Sequence, residues 1–173
     1  MKSIYTFLKK PFFGKYQVTW NWPEGVARDG WHDLVLESRS GGRLAAIHGE
    51  AKTEAQGMIV LAHPMGRAAK GHWLKNGLAE ALRARGFHVL AFDFNGFGAS
   101  GQGNFHYPLD VIAAGETLRE KYPELPLGVH GASFGAAWAL CACARETHPF
   151  DWAVLENPFT TLGVEPGRGL ADA

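Results

Sequence analysis

The sequence has few of the features that mark a secreted or a nucleic-acid-binding protein. Only two of its 173 residues are cysteines, Cys141 and Cys143. Two positions apart on a predicted helix, they diverge, which suits neither a disulfide nor a metal clip and favours packing cysteines in a reducing compartment. Seventeen basic residues balance seventeen acidic ones, so the charge does not indicate a nucleic-acid partner.

Long apolar runs are also missing. None approaches the roughly 20 residues that a membrane-spanning helix needs. The short N-terminal apolar stretch is interrupted by Lys9 and Lys10, which is too early for a signal peptide, so we expect an unprocessed, cytoplasmic chain. Aromatic residues beside lysines leave association with a membrane surface open. Pro11 breaks any long helix there and favours docking of these aromatics on the domain instead.

What is present is an alternation of apolar strands and helices. The turn residues Ser40-Gly41-Gly42 predict an antiparallel hairpin between strands. The predicted strands lie at 33–38, 43–51, 57–64, 87–94, 126–132 and 151–157, and the helices at 72–86, 108–122 and 134–147. This order predicts an α/β fold, with a mostly parallel central sheet and helices on both faces.

The domain organisation follows from the same alternation. We predict a core at 33–162, an N-terminal extension at 1–32, and a flexible tail at 163–173, where glycine and proline recur. No repeat or linker divides the chain.

The pattern Gly131-x-Ser133-x-Gly135 lies between a predicted strand and a predicted helix. A serine nucleophile is mounted in this setting, because the sharp turn exposes the hydroxyl and the flanking glycines let neighbouring backbone approach. The helix N-terminus also favours a developing negative charge. An ordinary small-residue turn is the alternative.

A second glycine pattern, formed by Gly96, Gly98 and Gly101, is typical of dinucleotide-binding turns. In such sites the turn opens directly into a helix, and an acidic residue ends the next strand. Here the helix begins only near Pro108 and the next strand ends in His130-Gly131-Ala132. The pattern therefore does not favour a nucleotide cofactor.

Four stretches together resemble the α/β-hydrolase superfamily, in particular its serine esterase and serine aminopeptidase-like branch. They are the serine turn, His63-Pro64-Met65-Gly66, the loop from Asp93 to Ser100, and LENPFTTL at 155–162. The resemblance implies that Ser133 is the nucleophile for a small acyl substrate, and that the Met65 and Phe134 N–H groups form the oxyanion hole. It implies no cofactor or metal, and for His63 it implies a structural role.

Two residues depart from the family pattern. Pro64 replaces a glycine, which stiffens the turn but leaves the Met65 N–H in place. Asn95 replaces an arginine in the Asp93 loop.

The family's triad continues, after the serine, with an acid and then a histidine. The only histidine after Ser133 is His148, at the far end of the helix that Ser133 begins. The triad histidine is therefore not expected in this chain, and the acid has only a weak candidate, Glu156, for which a turn or capping role is at least as good. We expect an N-terminal fragment of a serine hydrolase that lacks its last strands and helices. The alternative is a catalytically dead binding or scaffold protein of the same fold.

The sixth predicted strand has a consequence for association. With no strand after it, the apolar stretch Ala153-Val154-Leu155 leaves unpaired N–H and C=O groups at a sheet edge. Such an edge is a template for pairing with another chain, so we expect self-association there.

Overall fold

The computed structural model describes residues 16–101 and 104–159. The elements are strands β1 Trp31–Glu37, β2 Arg43–Gly49, β3 Gly57–Ala62, β4 Phe87–Phe92, β5 Leu127–Ala132 and β6 Trp152–Glu156, and helices α1 Gly71–Lys75, α2 Leu78–Ala84, α3 Tyr107–Lys121 and α4 Phe134–Cys143. Residues 1–15 of the predicted N-terminal extension 1–32 and the predicted tail 163–173 lie outside the described residues. β1 begins at Trp31, inside the predicted extension. No helix in the described ranges is long and apolar enough to cross a membrane.

The strands form one sheet in the order β1-β2-β4-β3-β5-β6. β1 and β2 form the predicted antiparallel hairpin, and β2 also runs antiparallel to β4. The pairs β3–β4, β3–β5 and β5–β6 are parallel. The α/β class and the mostly parallel sheet are therefore confirmed.

Helices cover both faces of the sheet, and β3 shows why. All six of its residues are buried. Met58, Val60 and Ala62 face a core shared with α3 and α4. Ile59 and Leu61 face a second core shared with α1 and α2. Because successive side chains of a strand point to opposite faces, a continuous apolar run is what a doubly covered strand requires.

The predicted helix at 72–86 is wrong: two short helices replace it. Gly77 between them has φ +78, a left-handed conformation that ends α1. The Asn76 side-chain oxygen accepts a hydrogen bond from the Leu78 N–H at 3.1 Å and so starts α2. The spacing of Leu74, Leu78 and Leu82 by one helical turn, which predicts a single helix, does not show this interruption.

The predicted helix at 134–147 is too long, because α4 ends at Cys143. Beyond it the chain turns back so that Phe150 enters the core. Gly115 of α3 leaves the room for this, since a Cβ there would lie 2.6 Å from Pro149 and 2.7 Å from Phe150. Burial of Phe150 thus competes with another turn of helix. Cys141 and Cys143 are both free.

Candidate active site

The chemically notable residues meet at the carboxyl end of the parallel strands. Ala62 is paired with both Phe92 and Gly131, and Ala132 is paired with Glu156, so β3, β4, β5 and β6 end side by side. Ligand sites of open α/β sheets lie outside this end of the strands.

Ser133 occupies the turn between β5 and α4. It has φ +49 and ψ −110, a backbone conformation that residues other than glycine rarely adopt. Its N–H donates to the Glu156 carbonyl at 2.8 Å, which ties the turn to the end of β6. The residue is exposed. This is the strained strand-to-helix turn that the sequence predicts for a nucleophile.

The two flanking glycines are required by close backbone contacts. A Cβ on Gly131 would lie 2.6 Å from the carbonyl carbon and oxygen of Gly135. A Cβ on Gly135 would overlap the Ala62 carbonyl oxygen and lie 2.7 Å from that of His63. The start of α4 is therefore packed directly against the end of β3, beside the loop that carries Met65.

The two predicted oxyanion donors lie on these touching segments. Phe134 opens α4, and the first four N–H groups of a helix have no partner within the helix. Its side chain is buried and anchored by aromatic rings of Phe94, Phe97, Tyr107 and Trp138, with centroids 5.0 to 5.9 Å away. The Met65 side chain is 47% exposed in the loop after β3. Both residues thus border the same end of the sheet as Ser133.

His63 is bonded through both ring nitrogens. Its Nδ1–H donates to the Pro64 carbonyl at 2.7 Å, and its Nε2 accepts from the Phe94 N–H at 3.2 Å. Burial lowers the pKa of His63 and so favours this neutral tautomer. With neither nitrogen available to Ser133, the geometry gives His63 a structural role.

Glu156 lies beside Ser133 but is engaged with a histidine that sequence reasoning missed. His130 Nε2 lies 2.8 Å from Glu156 Oε1. The His130 ring also packs on Trp73, with centroids 5.1 Å apart. The chain order of the family's triad directs attention to histidines after Ser133, whereas His130 precedes it on β5. Only the β5–β6 register brings these two side chains together.

His148 lies away from the serine. The rings of His148 and Phe150 stack with centroids 6.2 Å apart, just before β6 begins. Ser133 follows the carboxyl end of β5, and β5 and β6 are parallel, so the two residues lie at opposite ends of the sheet. Among the described residues, Ser133 Oγ has no hydrogen-bond partner.

The Asp93 loop explains both the second glycine pattern and the departure at Asn95. A Cβ on Gly98 would overlap the Asp93 carboxylate, so Gly98 lets the loop close over that side chain. Asn95, fully buried, donates to Asp110 Oδ2 through its backbone N–H at 3.0 Å and through its side-chain amide. Ser38 and Ser40 donate to Asp110 Oδ1, each at 2.7 Å. Asn95 therefore belongs to a local polar network.

No group of three or more His, Cys, Asp or Glu side chains within 16–101 and 104–159 is arranged to hold a metal ion.

Comparisons with known proteins agree with this architecture. A family profile described as "Serine aminopeptidase, S33" matches residues 53–171. The chain is 28% identical over 153 residues to lysophosphatidylserine lipase ABHD12 of Xenopus tropicalis, covering 82% of this chain and 38% of the lipase.

Solved esterases share the fold. A structure of the Pyrococcus furiosus esterase Pf2001 has a TM-score of 0.66 at 25% identity, covering 82% of this chain and 54% of that one. The carboxyl esterase of Bacillus coagulans has a TM-score of 0.58 at 20% identity, covering 73% and 44%. The chain thus spans about half or less of the length of these relatives.

Proposed function

The chain belongs to the serine aminopeptidase S33 family, and on that premise we propose that it carries the nucleophile and oxyanion half of a serine hydrolase. The substrate is a carboxylic ester, thioester or amide. The observation that carries the proposal is the exposed serine at φ +49 in a turn whose flanking glycines have no room for a side chain. The relatives described above, a lipase and esterases, support the ester class.

The mechanism assigns one role to each residue. Ser133 Oγ attacks the acyl carbon, and the carbonyl oxygen becomes an oxyanion that accepts hydrogen bonds from the Met65 and Phe134 N–H groups. Collapse of this intermediate expels the leaving group and leaves an ester on Ser133, which water then hydrolyses. A histidine from polypeptide outside these 173 residues takes the serine proton and passes it to the leaving group.

Glu156 makes two contacts that stabilise the site. Its carbonyl fixes the Ser133 N–H, and its carboxylate bonds to His130. The other carboxylate oxygen is left for an incoming histidine, for which Glu156 would be the triad acid.

The test compares the 173-residue chain with a longer polypeptide that continues into the coding sequence downstream of Ala173. Removing a triad base costs on the order of 10⁴ to 10⁶ in kcat. We expect p-nitrophenyl butyrate turnover to differ by about this factor between the two proteins, and the turnover of the longer one to disappear in Ser133→Ala. Robust turnover by the short chain that is lost in Ser133→Ala would show that its own residues include a base.

A binding or scaffold protein is the second candidate. The observation that favours it is the lack of a hydrogen-bond partner for Ser133 Oγ among the described residues. A stop codon after Ala173, together with turnover that Ser133→Ala leaves unchanged, would support this candidate.

A further inference from the structure

A buried ion pair lies at the end of the loop that carries Met65, where the loop meets the first helix. Lys70 Nζ lies 2.6 Å from Asp93 Oδ2, and the Lys70 backbone N–H donates to Asp93 Oδ1 at 2.8 Å. The two side chains are 2% and 0% exposed. The hydrolytic mechanism uses neither of them.

The pair holds one end of that loop. Lys70 is the residue at which the loop passes into α1. The other end of the loop is His63, whose Nε2 is bonded to the Phe94 N–H. Both ends of segment 63–70 are therefore attached to neighbouring residues at the end of β4. Desolvation offsets much of the attraction in a buried ion pair, so its net contribution to stability is small or even negative. We therefore ascribe to this pair a role in fixing the geometry of the loop.

Strain in the loop is consistent with this attachment. Ala69, directly before Lys70, has φ +46 and is 1% exposed. An alanine stays in that conformation only when its surroundings hold it there. The Asp93 carboxylate also accepts the Ala99 N–H at 2.9 Å, so one side chain joins the loops after β3 and β4.

The N-terminal segment, residues 16–30, lies against the ion pair. The Trp20 ring lies over Lys70 Nζ, 4.1 Å from the ring centroid. Its indole nitrogen lies so close to Gly71 that a Cβ there would be 3.1 Å away. The same segment is attached to the Asp93 loop, since the Val18 N–H donates to the Gly98 carbonyl at 3.0 Å and the Gly98 N–H donates to the Tyr16 carbonyl at 2.9 Å.

We propose that Lys70, Asp93 and Trp20 form a loop clamp that positions the Met65 N–H as an oxyanion donor. They are positioning residues, and the described part of the N-terminal segment belongs to the site. The inference rests on the proposed function, because it assigns Met65 its role there.

The test measures hydrogen exchange by NMR at the Lys70, Gly71 and His72 amides, which donate to Asp93, Ala68 and Ala69. A cation–π contact needs an aromatic face, whereas apolar packing does not. We expect Trp20→Leu to accelerate exchange at these three amides roughly tenfold. The matched variant Trp20→Phe should stay within about threefold of wild type. The ¹³Cβ shift of Ala69, which reports its positive φ, should move in Trp20→Leu only.

Two results would overturn the clamp. One is equal exchange in the Trp20→Leu and Trp20→Phe variants, which would reduce Trp20 to apolar filling. The other is uniform acceleration that includes the Val60 and Val129 amides, which would reduce it to general stability. The measurement needs no substrate, so it stands even if the hydrolase proposal fails. In a longer polypeptide with turnover, Trp20→Leu should lower kcat about tenfold and leave KM unchanged.

Discussion

The two ends of the sheet are built differently. At the carboxyl end, the backbone is strained: Ala69, Ser133 and Asn157, the described non-glycine residues with positive φ, follow β3, β5 and β6. At the amino end, His88 of β4 stacks on Tyr122 at a centroid distance of 3.9 Å, and His48 of β2 packs about 6 Å from both rings. Strain held by surrounding contacts is typical of functional sites.

At the amino end, by contrast, the proton affinity of buried histidines is lowered. Burial, with smaller contributions from Lys121 and His88, lowers the pKa of His48 to about 4. Burial also lowers the pKa of His88. The carboxyl end of the sheet thus holds strained backbone, whereas the amino end holds neutral imidazoles whose contribution to stability depends on pH.

The largest effect should come from Gly135→Ala at the carboxyl end. The added methyl group would overlap the Ala62 carbonyl, so the free energy of unfolding should fall by about 4 kcal/mol, more than the helix propensity of alanine returns. Urea denaturation measures this. The control is Gly66→Ala, where a Cβ would have nothing within 4 Å, and it should stay within about 0.5 kcal/mol. Equal effects would mean that β3 and α4 are not in contact.

Acid should destabilise the amino end next. The pKa of His48 is lowered to about 4 in the folded protein, so the unfolded chain takes up its proton first as pH falls from 6.5. Neutral His48 therefore contributes about 3 kcal/mol to the free energy of unfolding above pH 6.5. This contribution is lost as the pH falls from 6.5 to about 4. The titratable groups that face this ring are those of His88, His32, Lys121, Glu50 and Tyr122.

His48→Gln isolates this contribution. The slope of unfolding free energy against pH should become shallower between pH 6.5 and 4, because up to one proton fewer is taken up on unfolding. The slope above pH 7 should not change. An unchanged slope below pH 6.5 would show that His48 is not desolvated.

The effect of relieving the backbone strain at Ser133 should be smaller and of opposite sign. Glycine adopts positive φ without penalty, so Ser133→Gly should stabilise the fold by about 1 kcal/mol despite its greater unfolded-state entropy. Ser133→Ala keeps the strain and should stay within about 0.5 kcal/mol of wild type. Thermal unfolding of the three proteins distinguishes them, and a glycine variant less stable than the alanine variant would contradict stored strain.

The smallest effect on folding should come from the sheet edge. Among the described strands β6 pairs only with β5, and Val154 is 44% exposed. We propose self-association there and expect the chain to sediment as dimers or larger species at about 50 µM. Val154→Lys should restore the monomer while changing its stability by less than about 0.5 kcal/mol. Val35→Lys on the opposite edge strand is the control, and a wild-type monomer would exclude the interface.

Local patterns predicted the strands and the strand-to-helix turn at Ser133 well. Continuous apolar runs report burial on both faces, and Gly131, Ser133 and Gly135 act within one turn. The break at Asn76-Gly77 was not predicted, although Asn-Gly is a turn-forming dipeptide that could have revealed it. The spacing of Leu74, Leu78 and Leu82 favoured one helix because periodicity reports a buried face and not its continuity.

Pairs assembled from separate strands could not be predicted. His130 and Glu156 meet through the β5–β6 register, and Lys70 and Asp93 through the β3–β4 register. A single sequence does not specify register between distant segments. The contact between Trp20 and Lys70 could not be predicted for a different reason. Trp20 is a half-buried aromatic in an irregular segment, and such a segment has no hydrophobic periodicity.

The strand order also has a consequence for vectorial synthesis. β3, buried along its whole length, pairs with β4 and β5, both of which follow it in the chain. On a ribosome that adds about 5 to 20 residues per second, the segment from Ala62 to Phe92 takes roughly 2 to 6 seconds to make. During that time the most apolar strand of the domain has no native neighbour. Nascent chains should therefore engage holdase chaperones most strongly between the emergence of β3 and that of β4.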